Sequence, residues 1–274
     1  MTDIEKSEPY ARLVTDFAKS IKGMPIEGIP APHIPVVGRN YDKCAYKMAF
    51  VGMETKETKK SRNCKAFIED SETAMRNYEK WLDESEMFKN RERSVYWLFI
   101  KHFLQKFYHV KNLKIKKGKY HALMSSFVWG NANAIERYEV TAEKMMVDYE
   151  VWKKVKKASK PFDSINHLID ATHPKVIFIT YKAVDKEYIL QDNDVYSKKH
   201  EYVIDGKKIR FRYYYLSNRD THIFVTPHPT WMNRCKIGFK PYIKALIQAI
   251  TEYAIWSQLP QSEDDWATIE PVNV

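Results

Sequence analysis

Apolar side chains recur along the chain in two patterns, short continuous runs and positions three or four residues apart, which predict strands and helices in alternation. Short apolar runs bounded by charged residues predict buried strands at Tyr46–Val51, His121–Trp129, Val176–Thr180 and His222–Val225. Apolar positions three or four residues apart predict helices over residues 4–22, 74–82, 95–107, 142–155 and 239–254, one from an N-cap at Asp163 through Ile169, and one opening at Tyr181. Alternating strands and helices favour an α/β fold, and we expect a three-layer α/β/α sandwich around a mainly parallel sheet.

A third pattern, in which apolar and polar residues alternate with a period of two, extends through residues 200 to 216. An Asp205-Gly206 pair separates two alternating runs, which predicts a β-hairpin. In the second run, apolar and basic side chains alternate: Lys208, Ile209, Arg210, Phe211, Arg212, Tyr213. The hairpin therefore has one apolar and one basic face, which suits either a sheet edge beside a cleft or a surface that faces water.

The length of 274 residues and a hydrophobic content of 44% favour one elaborated domain with a large core. We expect an N-terminal helix and Pro-rich connector packed on the core at 1–38, the α/β domain at 39–258, and an acidic tail at 259–274. No apolar run approaches the roughly 18 residues that a membrane span needs, and the first residues are charged. We expect a cytoplasmic protein without a membrane partner.

Charge and cysteine content narrow the candidate partners. The 45 Lys and Arg against 35 Asp and Glu give a net charge of +10, which favours a polyanionic partner without identifying one. The three cysteines, Cys44, Cys64 and Cys235, include no close pair, so neither a disulfide framework nor a zinc site is indicated.

Two polar loops stand at the exits of predicted strands. Gly52-Met53-Glu54 follows the first strand, and Thr226-Pro227-His228-Pro229-Thr230 follows the last. In an open α/β sheet, ligands bind in the crevice beyond the carboxyl ends of the strands. We therefore expect a carboxylate, Glu54, and an imidazole, His228, to face one another across a cleft.

These two loops, with the strand His173–Tyr181 between them, resemble the uracil-DNA glycosylase superfamily. In that family one strand ends in a Gly-x-acid or Gly-x-Asn loop with the water-positioning residue, and a late strand ends in a His-Pro-Ser-like loop. The resemblance covers the middle and C-terminal two-thirds of the chain by spacing, but only these short motifs match in detail. Some branches carry an iron–sulfur cluster on four cysteines, which three cysteines cannot supply. The resemblance thus implies a DNA-binding enzyme, expected to be monomeric, without a metal or other cofactor.

The resemblance also assigns roles. It implies that Glu54 orients the attacking water and that His228 contacts the pyrimidine oxygen as the base leaves. The alternative for Glu54 is a surface or helix-capping residue, and for the Pro-His-Pro segment a stiff turn. No lysine lies in a motif expected for a Schiff base, which favours a monofunctional glycosylase, although Lys56 and Lys182 leave a lyase step open.

Further residues follow by analogy with family positions. The expected base-binding residues are Gly52, Met53, Phe127, Trp129 and Asn131. The expected DNA contacts are Lys56, Lys182, Thr230, Trp231, Met232 and Arg234, with Trp231 or Met232 as the wedge that opens the base stack. Core packing is the alternative for Met53, Phe127 and Trp129, and packing under the C-terminal helix is the alternative for Trp231. Asn131, like Asn133, is otherwise an ordinary turn or cap residue.

One departure from the family bears on the substrate. Uracil-specific members place Pro-Tyr after the acid, and that Tyr blocks substituents at C5 of the pyrimidine, whereas this chain has Thr55-Lys56. We therefore expect excision of uracil or of a modified pyrimidine, with the C5-modified cytosine of phage DNA, and so host defence, as one hypothesis. The main alternative is a non-catalytic nucleic-acid-binding protein on the same fold. A hydrolase of small phosphorylated substrates is a further one, although the chain has no Gly-x-x-x-x-Gly-Lys-Ser/Thr loop.

Overall fold

A computed structural model describes residues 8–26, 29, 31–38, 40–52, 64–70, 73, 94–110, 123–132, 134–135, 149–163, 165–180 and 195–262. Its helices are α1 (Glu8–Ser20), α2 (Cys64–Glu69), α3 (Val95–Phe107), α4 (Tyr149–Ala158), α5 (Lys160–Asp163), α6 (Ile165–Thr172), α7 (Pro229–Arg234) and α8 (Phe239–Glu252). Its strands are β1 (Val36–Val37), β2 (Met48–Gly52), β3 (Val128–Asn131), β4 (Val176–Ile179), β5 (Val195–Ile204), β6 (Lys207–Leu216) and β7 (Thr221–Val225). The protein is thus a mixed α/β structure.

The described strands form one seven-stranded sheet in the order β1-β3-β2-β4-β7-β6-β5. The four central strands, β3, β2, β4 and β7, are parallel to one another. β1 is antiparallel to β3 at one edge, and β6 and β5 continue the sheet in antiparallel fashion beyond β7. The chain leaves β2 to one side to form β3 and returns to the other side to form β4. Crevices in open α/β sheets lie at such a reversal, beyond the carboxyl ends of the strands.

The central strands are buried on both sides, and their side chains alternate between two apolar clusters. Phe50, Phe178 and Phe224 lie in what we call the phenylalanine cluster, where Phe50 stacks on Phe178 with ring centroids 5.2 Å apart. The intervening Ala49 and Ile177 lie in what we call the aliphatic cluster. Helices α3 and α8 contribute to the phenylalanine cluster, and α1, α2, α4, α5 and α6 contribute to the aliphatic cluster. This burial explains why the strands are continuous apolar runs in the sequence.

The β5–β6 hairpin projects past the carboxyl end of β7. β6 pairs with β7 from Arg212 to Leu216, with Arg212 opposite Val225, the last residue of β7. The first half of β6 therefore lies alongside the loop that follows β7. Asp205 and Gly206 form the turn with φ values of 51° and 72°, and two consecutive positive φ values are the conformation that an Asp-Gly turn favours.

The structure confirms the strands predicted near residues 46–51, 176–180 and 222–225, the Asp-Gly hairpin, and helices α3 and α8. The strand predicted over His121–Trp129 is wrong in its extent, because Leu123 and Met124 form a helical turn and the strand begins at Val128. The sheet is parallel only in its central four strands. The helices predicted at 74–82 and opening at Tyr181 lie outside the described residues.

Asp163 also differs from its predicted role as an N-cap. It is the last residue of α5, and its buried carboxylate accepts a hydrogen bond from the backbone N–H of Ala134. The side chain therefore ties the segment after β3 to the aliphatic side of the sheet instead of starting α6.

Candidate functional site at the carboxyl ends of the parallel strands

Gly52 and Asn131 are the last residues of β2 and β3, and they are register partners. A Cβ atom on Gly52 would lie 2.8 Å from Oδ1 of Asn131, closer than carbon and oxygen approach in real structures. The absence of a side chain at Gly52 therefore lets the Asn131 carboxamide lie over the end of β2. Asn131 is 6% exposed, so this residue is buried at the carboxyl end of the sheet.

Tyr96, in the first turn of α3, lies against the same point. Its hydroxyl oxygen is 3.8 Å from the position that a Cβ atom on Gly52 would occupy. That oxygen is buried, and within the part of the chain that the structure describes it has no hydrogen-bond partner. Burial raises the pKa of Tyr96, so the phenol stays protonated at neutral pH. The site thus contains a buried hydrogen-bond donor that a ligand could satisfy.

His228 also contacts Tyr96. The two rings stack with centroids 6.1 Å apart and an interplanar angle of 14°. His228 is the N-cap of α7, and its Nδ1 atom accepts a hydrogen bond of 3.2 Å from the backbone N–H of Thr230. Pro229 follows at the first helical position, where a missing N–H costs nothing.

The hydrogen bond at Nδ1 determines what His228 can do chemically. Because Nδ1 accepts, the proton of the neutral imidazole is on Nε2. Burial lowers the pKa of His228, which keeps the ring neutral at pH 7. His228 therefore presents a neutral Nε2–H donor.

The loop that carries His228 is held from two directions. The backbone N–H of Thr226 donates to the carbonyl of Ile179 over 2.8 Å, which ties the exit of β7 to the end of β4. The buried hydroxyl of Tyr242, from α8, bonds the Thr226 hydroxyl and lies 3.2 Å from the carbonyl oxygen of Pro227. Tyr242 in turn stacks on Phe99 of α3, with centroids 4.9 Å apart. The same two helices thus position Tyr96 and the His228 loop.

Of the residues predicted from the sequence, the structure brings Gly52, Asn131 and His228 together around Tyr96. Four predicted residues lie outside the described ranges: Met53, Glu54, Lys56 and Lys182. Gly52, two residues before Glu54, lies beside Tyr96, and the ring of Tyr96 stacks on that of His228.

Three of the other predicted residues are core residues. Phe127 and Trp129 are each 2% exposed and pack in the phenylalanine cluster, Phe127 against Phe50 and Trp129 against Trp97. Met232 is 0% exposed in the same cluster, so the prediction that it serves as a surface wedge is wrong. It faces inward from α7, whereas Trp231, Asn233 and Arg234 of the same short helix are exposed.

The remaining predicted DNA contacts are on the outer side of α7. Trp231 is 44% exposed, so the alternative in which it packs under the C-terminal helix is wrong. Thr230 is partly exposed and Arg234 is exposed. These three side chains can meet a ligand without rearrangement of the core.

Sequence reasoning missed Tyr96 because its position beside the apolar stripe of α3 carries no mark of function. Only the meeting of three strand exits shows that its hydroxyl is at the site. Among the described residues, no group of three or more His, Cys, Asp or Glu side chains could hold a metal ion. No helix within the described ranges is both long enough and apolar enough to cross a bilayer.

No protein-family model, curated protein or solved structure matches the chain. The fold and the site therefore define its class without help from relatives. It is an α/β protein in which a carboxamide, a phenol and a neutral imidazole come together at the carboxyl ends of its parallel strands.

Proposed function

We propose that the protein is a DNA glycosylase that hydrolyses the N-glycosidic bond of a flipped uracil or modified pyrimidine and leaves an abasic site. One observation carries the proposal: the neutral imidazole of His228 stacks on Tyr96, which lies over the end of the strand that leads to Glu54. The motif resemblance and the net charge of +10 support DNA as the substrate. We further propose that the two apolar clusters are the interfaces of a three-layer α/β/α sandwich.

The leaving base accounts for the need for a neutral donor. As the glycosidic bond breaks, negative charge develops on the pyrimidine ring, and a preorganised N–H aimed at a ring oxygen stabilises it. In this proposal Nε2 of His228 supplies that N–H. The Nδ1 hydrogen bond to the Thr230 backbone fixes both the tautomer and the direction of the ring.

Tyr96 and Asn131 would contact the edge of the extruded base. A base that has left the duplex must regain hydrogen bonds and a stacking surface inside the pocket. The buried phenol of Tyr96 and the buried carboxamide of Asn131 offer the former. Glu54, on the loop after Gly52, would orient water on the opposite face of the sugar.

The substrate need not be uracil. Thr55-Lys56 replaces the Pro-Tyr that closes the pocket to C5 substituents in uracil-specific members of the resembled family. We propose C5-modified cytosine, as found in phage DNA, as a candidate substrate alongside uracil, with host defence as the corresponding role.

The direct test exposes the protein to oligonucleotides that each contain one uracil, 5-hydroxymethylcytosine or glucosylated 5-hydroxymethylcytosine, followed by alkali to break the strand at abasic sites.

His228→Asn is the informative variant because Asn is a good N-cap and keeps α7 while it removes the imidazole donor. We expect its rate to fall by about 10²- to 10³-fold, the usual effect of losing one such donor. Tyr96→Phe keeps the stacked ring and should cost about tenfold, the effect of roughly one hydrogen bond. Absence of breaks for every base, or full activity of His228→Asn, would contradict the proposal.

A second candidate is a nucleic-acid-binding protein without catalysis. The basic side chains of the hairpin beside an exposed tryptophan favour it as much as they favour a glycosylase. In that case wild-type protein and His228→Asn would bind DNA equally and neither would release a base.

A further inference from the structure

A cavity of about 350 Å³ lies between the β5–β6 hairpin and α7. Lys208 and Arg210 line it from β6, and Trp231 lines it from α7. Pro227, which also lines it, directly precedes His228. The cavity is therefore the immediate neighbour of the proposed catalytic cleft, although His228 is not part of its wall.

The hairpin side of the cavity carries a net positive charge. Lys208 and Arg210 are two residues apart on β6, so both side chains point to one face of the sheet, opposite to Ile209, which packs in the phenylalanine cluster with Met232 and Ile237. The two cations therefore stand at the rim of the cavity, beside its apolar base. They share one carboxylate, Glu201 on β5, at 3.2 Å from Nζ of Lys208 and 2.6 Å from Nε of Arg210. Both cations are well exposed, at 66% and 76% of their side chains. One carboxylate neutralises only one of the two charges, so the pair can still attract an anion.

The helix side of the cavity offers a flat aromatic surface. The Trp231 side chain is 44% exposed, and its backbone N–H donates to the His228 carbonyl over 2.8 Å, which fixes it relative to the catalytic loop. Met232 and Ile237, both buried, form an apolar base to the cavity. An indole face beside two cations matches the chemistry of a nucleotide, in which an aromatic base is attached to a phosphate.

We propose that this cavity is a nucleotide subsite that holds the neighbour of the excised nucleotide, with its base on the Trp231 indole and its phosphate on Lys208 and Arg210. The inference rests on the proposed function for its choice of DNA. It adds the hairpin, which belongs to neither motif, to the substrate-binding surface. Because Pro227 lines the cavity and directly precedes His228, a strand whose target base reaches His228 would have a neighbouring nucleotide within reach of the hairpin. Preference for the sequence around the target would then be set by this subsite.

Two variants and one matched control test the subsite by fluorescence anisotropy with a labelled single strand of about 16 nucleotides. Trp231→Ala should weaken binding by about 5- to 150-fold, the range for loss of one base–aromatic stack. The double variant Lys208→Ala/Arg210→Ala should lower the slope of log affinity against log salt by about 0.7, the value for one phosphate contact on a single strand. The matched control is Lys19→Ala/Lys153→Ala, which removes two exposed, carboxylate-paired lysines from α1 and α4. It should bind within about twofold of wild type, as surface charges away from the nucleic acid contribute little.

A sharper test pairs Trp231→Ala with DNA that lacks one base. Stable abasic analogues are placed immediately 5′ or 3′ of the target, one strand for each. At one of the two positions, loss of the base should weaken binding to wild type but not to Trp231→Ala, because the stacking partner is already gone. Equal losses for both proteins at both positions, or a double variant that binds like the control, would overturn the subsite. All of these substitutions are at exposed positions, so folding is checked simply by unchanged thermal unfolding.

The subsite and the glycosylase proposal fail in distinguishable ways. If wild type releases no base while the binding differences persist, the subsite holds for a binding protein and the catalytic proposal falls. If wild type releases a base while Trp231→Ala and Lys208→Ala/Arg210→Ala bind and react like the control, the catalytic proposal stands and the subsite is wrong.

Discussion

At the scale of single residues, Gly52 shows how a missing side chain shapes the cleft. In Gly52→Ala the new Cβ overlaps the end of the Asn131 side chain and is in ordinary contact with Tyr96, whereas in Gly38→Ala it would overlap the backbone carbonyl of Ser125. We expect Gly52→Ala to lower the free energy of unfolding by about 1–3 kcal/mol, the usual cost of overpacking. Gly38→Ala should cost more because backbone must move. Urea denaturation measures the free energy of unfolding of both variants. A Gly52→Ala variant that loses as much stability as Gly38→Ala would contradict the geometry at Gly52.

A displaced Asn131 should also alter the choice of base. Gly52→Ala is therefore expected to change the ratio of rates on uracil and modified cytosine, even where the protein is folded. An unchanged ratio would remove Asn131 from the proposed base-binding residues.

His228 makes the site sensitive to acid in a definite direction. Burial lowers the pKa of His228 below its ordinary value, so the unfolded chain takes up this proton more readily than the folded one. The stability that the neutral ring contributes is present above pH 6.5, the ordinary histidine value, and is lost as the pH falls through the lowered pKa. Protonation at Nδ1 also ends the hydrogen bond from Thr230.

Wild type should therefore lose more stability between pH 7 and pH 5 than His228→Asn, which keeps a cap that does not titrate. Thermal unfolding of both proteins across this range measures the difference. Parallel pH curves would show that His228 is not held neutral by its surroundings.

The residue scale also shows where sequence analysis reaches its limit. His228 was predictable because a polar loop follows an apolar run, and the end of a buried strand is where ligands are met. Tyr96 was not, because within a helix an aromatic residue beside an apolar stripe is most often packing. Its role depends on neighbours from β2, β3 and the loop after β7, which helical spacing does not encode.

At the scale of elements, α8 supports the loop that carries His228. Tyr242→Phe keeps the ring that stacks on Phe99 but removes the hydroxyl that meets Thr226 and Pro227. We expect a loss of about 1 kcal/mol of stability, typical for one hydrogen bond, and a larger proportional loss of kcat than of substrate affinity. The measurement is steady-state cleavage of a substrate oligonucleotide.

The matched control for this support is Tyr202→Phe. It removes a hydroxyl that donates over 2.9 Å to Glu252. Glu252 is the last residue of α8, away from the turn of the helix that carries Tyr242. It should have a similar effect on stability and none on kcat. If both variants reduce kcat equally, the effect comes from the helix as a whole and not from the Tyr242 contact.

Elements with local signals were predictable, and elements defined by distant partners were not. Asp205-Gly206 specifies its own turn, and the apolar runs of β2, β4 and β7 specify strands buried on both sides. β1 consists of two residues, Val36 and Val37, which are in a strand only because Trp129 and Val128 pair with them. Nothing in the Pro-rich connector indicates that partner.

At the scale of the whole molecule, the N-terminal segment belongs to the core. Val14 and Phe17 of α1 are buried in the aliphatic cluster, and the ring of Phe17 contacts that of Phe162 with centroids 5.7 Å apart. Deletion of residues 1–38 would remove these side chains and β1. At about 1.5–3 kcal/mol for each large apolar side chain, the loss approaches the whole stability of a typical domain.

We therefore expect the truncated chain, residues 39–274, to be insoluble or to unfold at a much lower temperature than the full chain. Deletion of residues 263–274, the acidic end of the tail, is the control and should leave the unfolding temperature unchanged. A truncated chain with the unfolding temperature of the full protein would show that residues 39–258 form an independent unit.

The sheet order has a consequence for how the protein is made. Val36 leaves the ribosome early, but it pairs with Trp129, and β2 pairs on one side with β3 and on the other with β4. Beyond β4, β7 is in place only after the hairpin has been synthesised. In a nascent chain the first apolar segments therefore remain without their sheet partners until later segments have been synthesised. Pairing between segments so far apart in sequence makes folding slow. The early segments are the part of this protein that a chaperone has most reason to shield during translation.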